Sequence, residues 1–296
     1  MNSIEQQIWG FTPEGEAVVR YTMTNAGGAS VVLSNIGAGI IAVNVPDRNG
    51  KLANVALGYD RFESYFGDGP YMGKTPGRFA NRIGEGRFTL DGKEYRLAQN
   101  SGGQHLHGGL KGFANKVWTG RVETDRVVFS LVSPDGDDKY PGEVTVEVCY
   151  DWNDDCELEI TYYAKTDAPT IINLTNHSYF NLKGESVGRA MEQELQLNAS
   201  KFLWYDKNCI PTGELVEVKG TPMDFTTAKP LARDIDADYE PLNIGHGYDQ
   251  SWAIDGYEKG KLSEAGVLSD PETGRRMRIF TTHPSAHVYA GNFLQG

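Results

Sequence analysis

All six histidines of the chain lie in short polar stretches rich in glycine, asparagine and threonine. An imidazole changes its charge near neutral pH, so histidine is well suited to moving protons in a catalytic site. Polar residues are also common where strands end, which gives this distribution a second explanation. The histidines therefore mark candidate sites, in the stretches QHLHGG, TNHSY, IGHGYD and TTHPSAH.

His177 has the most suggestive surroundings of the six. It follows the apolar run at residues 171–174 and is flanked by Asn176, Ser178 and Tyr179, whose polar groups could fix the tautomer of its ring. A histidine satisfied in the core at a strand end has the same kind of neighbours. From the residues alone, proton transfer and a structural role for His177 both stay open.

His105 and His107 form a His-x-His pair. On a strand such a pair directs both rings to one face, and a third ligand such as His177 or Asp249 could complete a metal site. The alternative is that His105 is an exposed loop side chain. Because this short spacing often arises by accident, the sequence favours a site without metal.

For three further charged residues the sequence predicts ordinary structural roles. Arg78 and Arg82, in GRFANRI, are each expected to be solvated surface charges. Asp249 follows Gly245 and Gly247 and is expected to be a turn residue that hydrogen-bonds its own backbone.

Composition narrows the class of protein. The 296 residues carry 28 Lys and Arg against 40 Asp and Glu, and the net charge of −12 makes nucleic acid a poor partner. No apolar run is long enough to cross a bilayer and the first residues do not resemble a signal peptide, which favours a cytoplasmic protein without a membrane partner. Three cysteines without paired spacing predict free thiols.

The visible patterns are those of strands. Apolar and polar residues alternate over 143–150 and again over 157–162, which predicts neighbouring antiparallel strands. In RFTLDGKEYRL, Asp91 and Gly92 predict a two-residue hairpin turn. The one helical segment expected is around residues 61–65. With no repeat or linker, the chain is predicted to be a single all-β sandwich domain over 1–296.

Seven stretches in chain order carry a resemblance to the aldose 1-epimerases, or galactose mutarotases: GRFANRI, QHLHGGLKGF, DGDDKYPGEV, NLTNHSYFNL, PTGELVEVKGTPMDF, GHGYDQSW and YAGNFL. The resemblance implies a galactose-mutarotase-like β-sandwich, also called a supersandwich. It implies interconversion of the α and β anomers of a free hexose such as galactose or glucose, and no metal or organic cofactor.

The resemblance also assigns roles to residues. It makes His177 the general acid that protonates the ring oxygen, and places His107 and Arg82 at the reacting oxygens of the sugar. Asp249 is expected to accept hydrogen bonds from sugar hydroxyls, and Asn81 and Tyr179 are further candidate sugar contacts. His283 stands where the family typically has a glutamine, so we expect one sugar contact to differ in its donor pattern.

The family's general base is a glutamate in a later segment, and no residue of this chain aligns with it. The expectation is a piece of a longer mutarotase that lacks its C-terminal strands, with an unknown general base. Alternatives are a catalytically impaired sugar-binding homologue, a mutarotase for hexose 6-phosphates or other sugars that uses Trp204, Trp252 and neighbouring aromatics, and a glycoside hydrolase with paired carboxylates. A monomer or homodimer is expected.

Overall fold

The computed structural model describes residues 3–294, and most of its regular secondary structure is β-strand. The chain forms two compact units, the first comprising the chain up to Pro46 together with Lys51–Phe180. The second comprises Asp47–Gly50 and the chain from Asn181 onward. The single domain expected over 1–296 stays a prediction.

The first unit contains an antiparallel five-stranded sheet in the order β1-β2-β3-β4-β5 and an antiparallel four-stranded sheet in the order β10-β11-β12-β13. Two short ladders, β6-β9 and β7-β8, complete it. The strands are β1 (Ser3–Phe11), β2 (Ala17–Thr24), β3 (Ser30–Ser34), β4 (Gly39–Pro46), β5 (Leu52–Asn54), β6 (Arg82–Ile83), β7 (Arg87–Leu90), β8 (Lys93–Arg96), β9 (His105–Leu106), β10 (Thr119–Glu123), β11 (Arg126–Ser133), β12 (Val144–Trp152) and β13 (Leu158–Thr166).

The two larger sheets of this unit face each other across a core of aromatic and β-branched side chains. The rings of Tyr21 on β2 and Phe129 on β11 meet edge to face with centroids 5.4 Å apart. The Tyr150 hydroxyl on β12 donates to the Ala38 carbonyl at 2.7 Å. Burial raises the pKa of this tyrosine, so its hydroxyl keeps the proton that it donates. A sandwich core of this kind confirms the all-β prediction.

The strand pairings expected from periodicity are present. β12 pairs antiparallel with β13 along its whole length, as the alternating patterns predicted. β7 and β8 form the predicted hairpin, in which Asp91 and Gly92 both have left-handed backbones with φ of 51° and 77°. Two consecutive positive φ angles match the twist of a two-residue hairpin turn, which explains the Asp-Gly sequence.

Helices are few and short. The segment expected around residues 61–65 is a 3₁₀ helix over Phe62–Tyr65. One α-helix was not predicted from the sequence, α1 (Glu240–Gly245), whose first turn contains Pro241. Further 3₁₀ helices span Gly84–Gly86, Phe113–Asn115, Asp137–Lys139, Ala190–Glu192 and Leu231–Arg233.

The second unit contains two antiparallel four-stranded sheets, in the orders β17-β14-β19-β20 and β16-β15-β18-β21. Their strands are β14 (Glu194–Leu197), β15 (Lys201–Tyr205), β16 (Pro211–Glu217), β17 (Lys229–Pro230), β18 (Asp249–Ala253), β19 (Ser263–Ser269), β20 (Arg276–Thr281) and β21 (Ser285–Tyr289).

Aromatic residues fill the core of the second unit. Trp252 is 1% exposed, packs against Phe225 and donates its Nε1–H to the Met223 carbonyl at 3.0 Å. Phe202 is also fully buried, whereas Trp204 is half-buried. Trp252 is therefore a core residue, and its use as a stacking surface for a sugar is excluded.

The three cysteines are free thiols, as predicted, with Cys149 buried and Cys156 exposed. Within residues 3–294 no helix is both long enough and apolar enough to span a membrane.

Candidate functional site

His177 lies on an irregular segment that is held by main-chain hydrogen bonds to a second loop. Its N–H donates to the Lys74 carbonyl at 2.8 Å, and its carbonyl accepts from the Gly73 N–H at 3.0 Å. The Asn176 side chain donates to the Gly73 carbonyl at 2.9 Å. Three bonds to two consecutive residues fix the backbone of His177 without burying its ring, which stays partly exposed.

His107 is positioned by the short ladder of β6 and β9. Its Nδ1 accepts a hydrogen bond from the Asn81 N–H at 3.1 Å, and its own N–H donates to the Asn81 carbonyl at 3.1 Å. Because Nδ1 is an acceptor, the neutral ring carries its proton on Nε2. The backbone turns here through left-handed His107 and Gly108, and a Cβ at Gly108 would collide with the Gly77 carbonyl oxygen.

The two imidazoles come together in the first unit. Their ring centroids are 5.2 Å apart, and the Tyr71 ring lies 4.6 Å from His107 and 6.0 Å from His177. The Tyr179 ring lies 5.3 Å from His177, and its hydroxyl donates to the Pro70 carbonyl at 3.0 Å. We call Tyr71, His107, His177 and Tyr179 the imidazole cluster. Two partly exposed titratable rings in contact are suited to proton transfer.

Asn81 and Arg82 are consecutive residues, and the backbone of Asn81 is hydrogen-bonded to His107 of this cluster. Arg82 starts β6, is partly exposed, and donates from Nη1 to the Asn81 side-chain oxygen at 3.3 Å. The backbone of Asn81 bonds to His107, so the guanidinium, the amide and one imidazole are carried by the same short ladder. A fixed cation here could stabilise an oxygen that gains negative charge.

Beneath the cluster is a buried ion pair that the sequence analysis missed. Lys74 and Asp68 form a salt bridge with side chains 0% and 3% exposed, and the Lys74 ammonium also donates to the Tyr65 carbonyl at 2.6 Å. Asp68 accepts from the Met72 N–H at 2.8 Å. Burial lowers the pKa of Lys74 and Asp68 opposes this shift. The pair therefore ties the loop on which Tyr71 lies into the core.

Tyr71 was also missed. Its backbone is left-handed with φ of 56°, and the Lys74 ammonium lies 5.8 Å from its ring centroid. Burial, with a smaller effect of the nearby Asp68 charge, raises the pKa of its hydroxyl, which is therefore a hydrogen-bond donor at neutral pH. Its position just before GRFANRI was the only available signal, and nothing in its type distinguishes it from a core tyrosine.

The prediction that Arg78 is a surface charge is wrong. The residue is 2% exposed, and its guanidinium donates to Ser133 Oγ at 3.0 Å and to the carbonyls of Ser133, Pro134 and Pro141 at 2.9–3.0 Å. A buried guanidinium needs such a complete set of acceptors. Arg78 therefore joins distant loops of the first unit and is not a candidate sugar contact.

Both readings of His105 are corrected. The side chain is fully buried, with Nδ1 donating to the Ala98 carbonyl at 2.7 Å and Nε2 accepting from the Tyr140 hydroxyl at 2.6 Å. The backbone of His107 is left-handed, and the two rings have different neighbours: His105 packs against Tyr140, whereas His107 packs against Tyr71 and His177. Among the described residues, no group of three or more His, Cys, Asp or Glu side chains is placed to hold a metal.

The buried imidazole of His105 predicts a dependence of stability on pH. Burial lowers its pKa below the ordinary value of 6.5. Below pH 6.5 the unfolded chain takes up a proton that the folded chain does not. The free energy of unfolding therefore decreases as the pH is lowered, until the pKa of His105 in the folded chain is reached. We expect this group to contribute a slope of up to about 1.4 kcal/mol per pH unit. The free energy of unfolding, measured with urea at several pH values between 7 and 5, should change less with pH in His105→Gln than in the unaltered protein. Equal slopes of this free energy against pH would contradict the prediction.

In the second unit Asp249 is not a turn residue. It is the first residue of β18, is 7% exposed, and accepts a hydrogen bond at 2.8 Å from His287 Nε2. His283 lies in the turn between β20 and β21, is exposed, and donates its backbone N–H to Thr281 Oγ1 at 3.0 Å. The hydrogen bond between His287 and Asp249 was not predicted, because the two residues are 38 positions apart in the sequence.

Comparison with known proteins gives consistent matches over the whole chain. A sequence model of the family Aldose 1-epimerase matches residues 19–296. The galactose mutarotase of Bos taurus is 39% identical over 296 residues, which are 100% of this chain and 84% of the relative. The aldose 1-epimerase of Escherichia coli K12 is 36% identical over 285 residues, 96% of this chain and 82% of the relative.

Solved structures agree. The crystal structure of a galactose 1-epimerase from Lactobacillus acidophilus NCFM has a TM-score of 0.87 and 28% identity, covering 99% of this chain and 84% of its own. A GalM/aldose epimerase homologue from C. elegans has a TM-score of 0.83 and 30% identity, covering 99% of this chain and 83% of its own.

Proposed function

The chain belongs to the aldose 1-epimerase family, and on that premise we propose that it interconverts the α and β anomers of free hexoses, with galactose and glucose as its substrates. The bovine relative is a galactose mutarotase and the Lactobacillus structure is a galactose 1-epimerase. Apart from family membership, the observation that supports the proposal is the pair of imidazoles of His107 and His177, with ring centroids 5.2 Å apart.

The reaction requires two proton movements at one end of the sugar. A proton reaches the ring oxygen, the bond between that oxygen and C1 breaks, and the anomeric hydroxyl loses its proton to leave an open-chain aldehyde. C1 then turns and the ring closes on either face. Catalysis therefore needs an acid and a base that are positioned around one small ring.

We assign the acid role to His177. Its backbone is fixed by the bonds to Gly73 and Lys74, and its ring contacts those of Tyr71, His107 and Tyr179, so the imidazole is held in a narrow range of orientations. An imidazole titrates near neutral pH and can give up and regain a proton in each turnover.

His107 and Arg82 act on the oxygens that gain charge. The Asn81 N–H occupies Nδ1 of His107, so the ring offers its Nε2–H as a donor. Arg82 supplies a permanent positive charge from the same ladder. Donors fixed before the reaction stabilise a developing oxyanion without reorganising, which is the usual source of large rate effects.

The side chains of Asp249, Asn81, Tyr179 and His283 bind sugar hydroxyls, and the carboxylate of Asp249 is the strongest acceptor among them. A buried carboxylate accepts hydrogen bonds from hydroxyl groups strongly, and several such contacts fix the position of the ring. We assign the second proton transfer, from the anomeric hydroxyl, to none of the described residues.

Anomer exchange at equilibrium tests the proposal directly. Saturating the resonance of the α-anomeric proton of equilibrated galactose should reduce the β-anomeric signal faster with the protein than in buffer alone. We expect the same with glucose. If the protein binds galactose but exchange stays at the buffer rate, the proposed activity is wrong and the alternative of a catalytically impaired sugar-binding protein is favoured.

A further inference from the structure

A chain of three side-chain hydrogen bonds crosses one sheet of the second unit. The Tyr205 hydroxyl and Ser251 Oγ are 2.9 Å apart, Ser251 Oγ and His287 Nδ1 are 3.0 Å apart, and His287 Nε2 and Asp249 Oδ1 are 2.8 Å apart. These hydrogen bonds thus end at the carboxylate of Asp249, which is proposed to bind a sugar hydroxyl.

Strand register explains why these residues meet. Asp249 and Ser251 are two residues apart on β18 and therefore point to the same face of the sheet. His287 on β21 is directly opposite Ser251 in the antiparallel ladder, so its ring lies across both side chains. Tyr205 on the other neighbouring strand, β15, stacks on the imidazole, with centroids 6.4 Å apart and planes inclined by 23°.

The direction of each bond follows from its acceptor. A carboxylate can only accept, so Nε2 of His287 carries a proton and donates to Asp249. In the neutral ring Nδ1 is then an acceptor, so Ser251 donates to it. Ser251 in turn accepts from the Tyr205 hydroxyl. All three donors point the same way, toward Asp249.

We propose that His287 is a positioning residue that sets the orientation of the Asp249 carboxylate toward the sugar, and that Ser251 and Tyr205 hold its imidazole in the required tautomer. The inference rests on the sugar-binding role of Asp249 in the proposed function. A carboxylate has a broad torsional preference about its last bond, so a charge-assisted hydrogen bond to one oxygen defines the plane of the group.

His287 acts equally on the bound sugar and on the transition state, because Asp249 holds hydroxyls away from the reacting carbon. An interaction of this kind changes KM and leaves kcat nearly constant. A merely structural role would instead lower the fraction of folded protein, which reduces apparent kcat at unchanged KM.

The first variant is His287→Phe, which keeps a ring against Tyr205 and removes the Nε2 donor. We expect the KM for galactose to rise about tenfold with kcat within about twofold, since a hydrogen bond to a charged group is lost. His287→Gln restores an N–H donor and should return KM to within about threefold of the original value. His246→Asn removes an exposed imidazole of the same unit outside this chain of bonds and should change neither constant.

A double-mutant cycle shows whether His287 works through Asp249. In an Asp249→Asn background, His287→Phe should change the dissociation constant for galactose, followed by tryptophan fluorescence, by less than about twofold, because coupled residues are not additive. A tenfold change in both backgrounds overturns the proposal, as does an unchanged KM in His287→Phe alone. If His287→Phe fails to melt cooperatively, Ser251→Ala replaces it, with an expected two- to threefold rise in KM and an unchanged KM counting against us.

The two proposals fail differently. If the unaltered protein does not accelerate anomer exchange, the proposed function fails. The positioning role is then decided by the dissociation constants alone, and overturned if galactose does not bind.

Discussion

Asparagine in place of His177 is expected to lower kcat for anomer exchange about 10²- to 10⁴-fold, the usual contribution of a general acid. Asparagine can still hydrogen-bond a sugar oxygen but does not titrate, so binding is retained and proton delivery is lost. The main-chain bonds of residue 177 to Gly73 and Lys74 do not depend on the side chain. Saturation-transfer rates with galactose, at sugar concentrations above KM, measure the effect.

His246→Asn is the matched control, because it makes the same chemical change at an exposed position and should leave kcat unaltered. A kcat in His177→Asn within about threefold of the original would remove His177 from the acid role. A loss of equal size in both variants would point to a general effect of the substitution.

Methionine in place of Lys74 is expected to destabilise the fold by about 3–5 kcal/mol, because Asp68 is left as an uncompensated buried charge. Both side chains of the pair are essentially inaccessible to water. Replacing both residues, in Asp68→Leu with Lys74→Met, should recover much of the loss, since an apolar pair removes the buried charge altogether. Urea unfolding followed by tryptophan fluorescence gives the free energies.

Lys201→Met tests whether burial is responsible. Lys201 pairs with Glu217 at 3.2 Å with side chains 45% and 66% exposed, so its removal should cost no more than about 1 kcal/mol. Losses of the same size for Lys74 and Lys201 would show that the buried pair has no special weight. The Lys74 variant should also reduce activity, because the loop carrying Tyr71 is hydrogen-bonded to His177.

Local patterns in the sequence predicted much of the fold. The alternation in β12 and β13 and the Asp91-Gly92 turn are decided by neighbours along the chain, and all three are present. The reading of charged residues was less successful. Arg78 was assigned to the surface because arginine is usually found there, and His105 was interpreted as a metal ligand or an exposed loop side chain. Their burial depends on acceptors supplied by distant segments, such as Ser133 for Arg78.

The site shows the same division. His107 and His177 were singled out by residue type and motif order, and the structure brings their rings together. Tyr71 and His287 were not, because their importance depends on ring contacts and strand register. His287 shares the stretch TTHPSAH with His283, and only the pairing of β18 with β21 distinguishes them, by placing His287 opposite Ser251.

We propose that this protein opens and closes the ring of a free hexose. The most direct measurement is the polarimetric relaxation of freshly dissolved α-D-galactose, run beside methyl α-D-galactopyranoside, which cannot open its ring without losing its methyl group. We predict relaxation to the equilibrium rotation faster than in buffer for galactose and a constant rotation for the glycoside. Relaxation of galactose at the buffer rate, or a changing rotation of the glycoside, would contradict the proposed anomer interconversion.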